Sequence, residues 1–429
     1  METSTISPRD VALVPAMYKG QTLESAGPEN EMNNNPLESD SEDSEHELEN
    51  FPSIPPSILR KVGVDPDHHL DQLSSDKVAG LLDEIYKVRG PSNTNARHNP
   101  LMVPMGSQNL QGQSDDRSGP AQTLKLLQDS CLHFLALPTS FKAGNVEFDR
   151  NDVIGRGGEA TVYRGRMAGR TVVVREVVMA PWEWKGPSGR RITQLIFREA
   201  ITHSQLHHPN IVPFLGIHQD VVDSHPLMIL PFLERGALQA LLGDRLMELQ
   251  DFQQVLFGVA RGVDYLHSRH PPIVHGDLHP GNILLDAAGT PYLCDFGLSR
   301  VRHEVSRSRT IRQEGGNRRF LAPELIALEI GSFSSSRESD IFALAMTFLN
   351  IWTGQRPFSE VKNDYKVVVK VRAGVRPKKP IVAVIMESGM EAPFWDLLAR
   401  SWAQLPSDRL SIHDVLERLS SIFVDGAFF

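Results

Sequence analysis

The 429-residue chain is long enough for two or three domains and at least one large core, and its 40% hydrophobic and 23% charged content excludes a fibrous or wholly disordered class. Its formal charge of −9 is uneven, because residues 1–120 hold 20 acidic and 9 basic residues; the slightly basic remainder is too weakly charged to point to a nucleic acid partner. The only cysteines, Cys131 and Cys294, lack disulfide or zinc spacing, the N-terminus lacks the apolar stretch of a secretory signal, and the longest apolar run, Ile341 to Trp352, falls short of the ~20 residues of a membrane span. These features predict an intracellular protein of a reducing compartment, cytoplasmic first and nuclear as the remaining option.

In chain order, residues 1 to about 55 are rich in Ser, Asn, Pro and Glu, and Glu38 to Glu49 is an acidic, serine-containing run. Such composition cannot repay the entropy of folding. Two readings stand for the run, a phosphorylated or partner-docking tail and a solvated linker. A short amphipathic helix is predicted from Asp76 to Arg89, with Val78, Leu81, Leu82, Ile85 and Val88 at helical spacing, Ser75 as cap and Gly90-Pro91 as stop. Residues 91–120 have linker composition, and a second helix is predicted from about Ala121 to Leu137, ended by Pro138. The domain division is therefore 1–120 as a largely disordered acidic region, 121–147 as helix and linker, and 148–424 as the catalytic domain. A chain starting near Ala121 is expected to fold. Beyond Asn145, Val172–Val174, Val177–Val178, Leu227–Leu230 and Ile283–Leu285 read as strands. Helices are predicted at Phe252–Ser268 and Ser339–Trp352.

The first chemical signal is Ile154-Gly155-Arg156-Gly157-Gly158-Glu159-Ala160-Thr161-Val162-Tyr163, a glycine-rich turn between strand-like segments. Gly155, Gly157 and Gly158 would let backbone approach phosphate oxygens, with Val162 over a purine ring; an ordinary hairpin explains the same glycines. Downstream, Arg175 ends a valine run and Glu199 lies in Phe197-Arg198-Glu199-Ala200 at a helix. Paired, they would hold a basic group against phosphates; apart, they are surface charges.

Then come Ile273-Val274-His275-Gly276-Asp277-Leu278-His279-Pro280-Gly281-Asn282, Leu293-Cys294-Asp295-Phe296-Gly297 and Ala322-Pro323-Glu324. In order and spacing the set resembles the eukaryotic protein kinases over roughly residues 148–424. The resemblance implies an α+β bilobal fold with a small β-rich N-lobe and a larger helical C-lobe, ATP and Mg²⁺ as ligands, and a protein substrate phosphorylated on serine or threonine, with tyrosine left open. It implies Asp277 as catalytic base, His279 and Asn282 beside it in the catalytic loop, and Asn282 and Asp295 as magnesium ligands. Leu230 would be the gatekeeper, with Pro231, Phe232 and Leu233 as the adenine hinge and Leu284 beneath the ring. Asp340 matches the family's helix-start aspartate, and Arg409 would pair with Glu324. The wording of Arg198-Glu199-Ala200, Leu238-Gln239 and Trp402 is most similar to the tyrosine-kinase-like branch as found in mushroom-forming fungi.

Four positions depart from the family pattern. Ala160 replaces the third glycine, Arg175 the strand lysine, Gly276 the loop arginine and His279 the lysine of serine/threonine kinases. Arginine keeps the charge but is forked and longer. Gly276 removes a phosphate clamp on the activation loop, for which Arg300, Arg302, Arg307 and Arg309 are candidate substitutes, so phosphorylation at Ser306, Ser308 or Thr310 is expected to matter less. An imidazole at 279 is expected to be drawn to its charged form by nearby phosphates. Two alternatives follow: a pseudokinase scaffold that binds without transferring, and a small-molecule phosphotransferase of the aminoglycoside or choline kinase type, whose catalytic loop is worded like residues 275–282.

Overall fold

A computed structural model of the chain describes residues 54–65, 70, 73–88, 120–156, 160–178, 184, 186–219, 225–243, 248–295, 318–326, 335–380 and 389–424. Strands β1 (Val146–Arg156), β2 (Ala160–Met167), β3 (Arg170–Val177), β4 (Gly216–Gln219) and β5 (Pro226–Pro231) form one sheet in the order β1-β2-β3-β5-β4. Every pairing in it is antiparallel. Alternation sets two faces. Val146, Tyr163, Val172, Val174, Leu227 and Ile229 pack on one, while Val162, Val173, Val177, Met228 and Leu230 belong to the larger core on the other.

The C-lobe is helical because its apolar residues recur at helical spacing. Helix α6 (Leu249–His267) follows the short β6 (Gly236–Ala237) and α5 (Leu238–Leu241), and buries Val255, Val259, Val263 and Leu266 along one stripe. The sheet β6-β7-β8 is completed by β7 (Ile283–Leu285) and β8 (Pro291–Leu293). Helix α7 (Arg337–Thr353) starts at a capping box between Ser336 and Ser339 and is buried on all sides from Ser339 to Trp352, as its apolar composition requires. It forms the centre of the lobe, with α8 (Asp364–Arg372), α9 (Glu391–Ser401) and α10 (Ile412–Val424) contributing to the same core. Among the described residues no helix is long and apolar enough to cross a membrane.

The N-terminal reading needs correction. Helix α1 (Pro56–Lys61) was not anticipated, and α2 (Ser75–Val88) packs with α3 (Pro120–Phe134), the helix that leads into the next domain. Ile54, Ile58, Leu59, Val64, Val78, Leu81, Leu82 and Ile85 are buried with Leu127 and Cys131 of α3, and with Ile192, Ile196, Ala200 and Ile201 of α4 (Pro187–His203). Asp83 accepts hydrogen bonds from the backbone N–H (2.7 Å) and hydroxyl (2.6 Å) of Thr139, and Gln194 of α4 donates to the Leu132 carbonyl at 3.0 Å. At roughly 1.5–3 kcal/mol for each fully buried aliphatic side chain, this cap is part of the core. The described residues 54–65 and 73–88 therefore do not fit a disordered region ending at 120, and starting the chain at Ala121 would strip the face of α3 that α2 covers. The expectations for residues 1–53 and 89–119 lie outside the described residues.

Candidate active site

The register of the large sheet lines up Gly155, Val162, Arg175 and Met228 as successive cross-strand partners. Leu230 is two residues along the same face, opposite Val173. Val162, Leu230 and Leu284 are buried in one cluster with Phe232 and Leu233 packed against it, so apolar side chains of the two sheets gather at the chain's crossing between lobes. Gly155 is buried, whereas Gly157 and Gly158 lie outside the described residues. Strand pairing alone brings the glycine of β1, Val162 of β2 and the basic group of β3 into line.

Arg175 places Nε 3.5 Å from Oδ1 of Asp295, and both side chains are about one-tenth exposed. Glu199, on α4, is buried to 6% exposure. Cys294 is buried beside all three, and its thiol is raised well above the ordinary range by burial and then by the Asp295 carboxylate, with Arg175 opposing and Glu199 adding. It is therefore a protonated, inert thiol under physiological conditions. Asp295 itself sits at φ 58, a left-handed conformation of the kind that folds tolerate at functional positions. On the opposite side of β3, the neighbouring Glu176 accepts from Tyr163 (2.6 Å), Arg150 (2.8 Å) and His225 (2.6 Å). Burial disfavours its charge, yet these hydrogen bonds hold its pKa down at about 2. The strand is anchored through that cluster, which no motif advertised.

The catalytic loop hangs on α7. Asp340, 1% exposed, accepts from the backbone N–H of His275 (2.8 Å) and Gly276 (2.9 Å), and Nε2 of His267 lies 2.9 Å from its Oδ2. Gly276 takes φ 76, where glycine pays no Cβ penalty; its absence of a side chain is thus a backbone fit as well as a missing clamp. Asn282 donates Nδ2 to both the backbone carbonyl and Oδ2 of Asp277, each at 2.8 Å. Its backbone carbonyl accepts from Cys294 N–H at 3.0 Å, tying the loop to Asp295.

His279 caps the short turn that follows it. Its Nδ1 accepts a hydrogen bond from Gly281 N–H at 2.9 Å, and an imidazolium, protonated on both nitrogens, has no lone pair to accept one. The resting loop favours the neutral ring. Arg409 and Glu324 pair through two 2.7 Å contacts, and Arg409 also donates to the Glu338 carbonyl at 2.8 Å, so the Ala322-Pro323-Glu324 segment is braced as the sequence suggested. Sequence reasoning missed Arg319, which is 4% exposed and donates to Asp364 and to the carbonyls of Pro357, Phe358 and Val361. It also missed His267. Neither carries a local signal, since their partners are 38 to 73 residues away. Phe296, Gly297, Lys185 and the arginines and phosphorylation candidates between 300 and 310 lie outside the described residues.

Among the described residues no cluster of three or more His, Cys, Asp or Glu side chains is arranged for a metal. The donors at hand suit a small hard cation that takes few protein oxygens and completes its shell with phosphates and water. Asn282 spends its amide nitrogen on Asp277, which leaves its carbonyl oxygen as the atom that would face such a cation, and Asp295 would offer a carboxylate.

The family described as Protein kinase domain matches residues 148–419. The chain is similar to the serine/threonine-protein kinase TNNI3K of Mus musculus, at 29% identity over 285 residues, covering 66% of this chain and 32% of that protein. It is similar to the dual specificity protein kinase shkA of Dictyostelium discoideum, at 28% over 65% of this chain and 50% of the relative. The serine/threonine-protein kinase CTR1 of Arabidopsis thaliana matches at 31% over 54% of this chain and 28% of its own length. The chain thus spans between about a quarter and a half of these relatives.

Proposed function

The chain belongs to the protein kinase family, and from that premise we propose that it transfers the γ-phosphate of ATP to a serine or threonine hydroxyl of a protein substrate. The observation that carries this reading is Asp277, a carboxylate oriented at 2.8 Å by Asn282 in a loop suspended from the buried Asp340. In the transfer, the acceptor oxygen bonds to the γ-phosphorus as its proton passes to Asp277, the bond from that phosphorus to the β–γ bridging oxygen breaks, and ADP leaves. Adenine would lie against Val162, Leu230, Phe232, Leu233 and Leu284. Arg175 would hold the α- and β-phosphates in the lysine's place, with Glu199 on α4 as its partner. Mg²⁺, held by Asn282 and Asp295, would neutralise phosphate charge and so favour transfer.

The braced segment at Glu324 favours a peptide acceptor over a small molecule. The oriented Asp277 and Asn282 disfavour a non-transferring scaffold. We assign the chain to the tyrosine-kinase-like branch of the sort found in mushroom-forming fungi on the wording around Glu199, Leu238 and Trp402, and we place it inside the cell on its cysteine usage. For the acidic run at 38–49 both readings stand, a docking segment for a protein partner and a solvated linker.

The test is a phosphotransfer assay on the full chain with ATP, Mg²⁺ and generic protein acceptors, the modified residue being identified by mass spectrometry. Asp277→Asn should reduce turnover by about 10²- to 10⁴-fold while leaving the thermal melt in place. Arg175→Met should also reduce it by orders of magnitude, and Arg175→Lys should maintain or raise it. A parent that binds ATP and Mg²⁺ yet phosphorylates nothing, itself included, would replace this reading with the scaffold.

A further inference from the structure

The loop residues Leu278-His279-Pro280-Gly281 form a cradle for one imidazole. His279 is 8% exposed and caps the short 3₁₀ turn Pro280–Asn282 by accepting from Gly281 N–H through Nδ1. Its ring also packs obliquely on Phe320, with centroids 5.9 Å apart. Space at position 281 is what permits this. A Cβ built on Gly281 would sit 2.6 Å from Cε1 and 2.8 Å from Nδ1 of His279, closer than real Cβ atoms come, so any side chain there would drive the ring out. The far nitrogen, Nε2, lies 3.4 Å from Oδ2 of Asp277, the same oxygen that takes the Asn282 amide at 2.8 Å.

A ring whose Nδ1 accepts a proton donor carries its own hydrogen on Nε2. We propose that His279 is a positioning residue whose Nε2–H closes on Oδ2 when substrate is bound and acts with Asn282 to orient the Asp277 carboxylate, making Oδ1 the oxygen that takes the acceptor's proton. It does so through Asp277 as a neutral donor, where the lysine it replaces would bring a cation. The 3.4 Å separation is long for a hydrogen bond, as such contacts often are before substrate arrives. Gly281 and His279 are then one device, the glycine existing to seat the ring. The role rests on Asp277 being the base of the proposed transfer.

Two variants of the full chain separate the ring's two ends. His279→Asn keeps an acceptor one bond from Cβ's neighbour carbon, able to cap Gly281 N–H, but cannot reach Asp277. His279→Gln extends an amide donor to the distance of Nε2. We expect His279→Asn to keep its melting temperature and its KM for ATP within about twofold and to lose roughly tenfold in kcat, the scale of one hydrogen bond to a charged group. His279→Gln should be several-fold faster than His279→Asn, and Gly281→Ala should share the kcat loss.

A spectroscopic readout is independent of turnover. In the resting protein labelled with ¹⁵N-histidine, His279 should show the Nε2–H tautomer, and Asp277→Asn should shift its Nε2 resonance. Protonation on Nδ1, or an Nε2 signal indifferent to Asp277→Asn, overturns the contact. Equal kcat for His279→Asn and the parent overturns its role. If the parent transfers no phosphate at all, the kinase reading falls, while the contact between His279 and Asp277 is still decided by the spectrum.

Discussion

The catalytic loop, suspended from α7 in the helical lobe, and the N-terminal cap, packed into the core of the small lobe, are both largely buried, yet they are written in different ways. In the loop, each position has a separate chemical duty. Asp340 takes two backbone N–H groups, Asn282 holds Asp277, and Gly281 leaves room for His279. Such duties tolerate few residue types, so they surface as a motif. In the cap, Ile58, Leu59, Leu81, Leu82 and Ile85 need only be apolar and of suitable size, and their partners on α3 and α4 are equally generic. Packing of this kind is physically as strong and leaves almost no signature. A region can therefore look dispensable by composition and still support the helix that carries Glu199.

The strongest way to break this comparison is to empty the cap. Leu81 and Leu82 are both fully buried, and each Leu→Ala truncation in a packed core costs about 2–5 kcal/mol. The double variant should lower the urea midpoint of the full chain by an amount equivalent to about 5 kcal/mol, with no separate low-stability transition. An early transition confined to the cap, leaving the main midpoint unchanged, would show that α1 and α2 are an appendage rather than part of the small lobe's core.

That expectation also marks what was legible. The lobes, the strands Leu227–Leu230 and Ile283–Leu285 and the long helices were visible because period-2 and period-3.6 patterns survive without tertiary knowledge. The strand Ile283–Leu285 has the expected bounds, while the ends of other elements move by a residue or a few, as with α6, which runs Leu249–His267 rather than Phe252–Ser268. Helix α2 was visible too, but α1, six residues long, is too short to show periodicity. What seats His279 in the resting loop was not legible. Its partner there, the N–H of Gly281, is a backbone group, and backbone groups carry no letter in the sequence.

A smaller effect separates the lobe's interior from both regions by pH. His203 closes α4, is 3% exposed and lies with Nε2 2.7 Å from the Val212 carbonyl. Burial lowers its pKa from 6.5 to about 4, with the carbonyl opposing and Arg175 adding to the depression. Between those values the unfolded chain binds a proton that the folded chain refuses. Stability is therefore complete above about pH 6.5 and falls as pH drops toward 4, by up to about 3 kcal/mol for a shift of this size. Glu176, held at about 2 against an ordinary 4.5, adds its own loss only below pH 4.5. Urea midpoints measured between pH 5 and 7 report this slope together with that of His208, whose pKa burial also lowers, so the variant is what separates them. His203→Gln, which keeps a donor for the carbonyl, should flatten that slope; an unchanged slope would assign it elsewhere.

The smallest effect tests whether a single loop position is chosen for its backbone. Gly276 combines φ 76 with an N–H fixed on Asp340 at 2.9 Å, so the residue cannot relax its φ without releasing that hydrogen bond. A Cβ in the left-handed region costs roughly 1–2 kcal/mol, least for asparagine and most for β-branched residues. The expected order of stability is Gly276, then Gly276→Asn, then Gly276→Ala, then Gly276→Val, with Gly276→Ala about 1 kcal/mol below the parent. Gly276→Arg should fall near alanine, because the arginine that the family usually carries here would meet the same backbone cost in this loop. If alanine and valine proved as stable as glycine, the glycine would owe nothing to conformation. Its only consequence would then be the missing guanidinium, and the loop would have lost a clamp without gaining a fit.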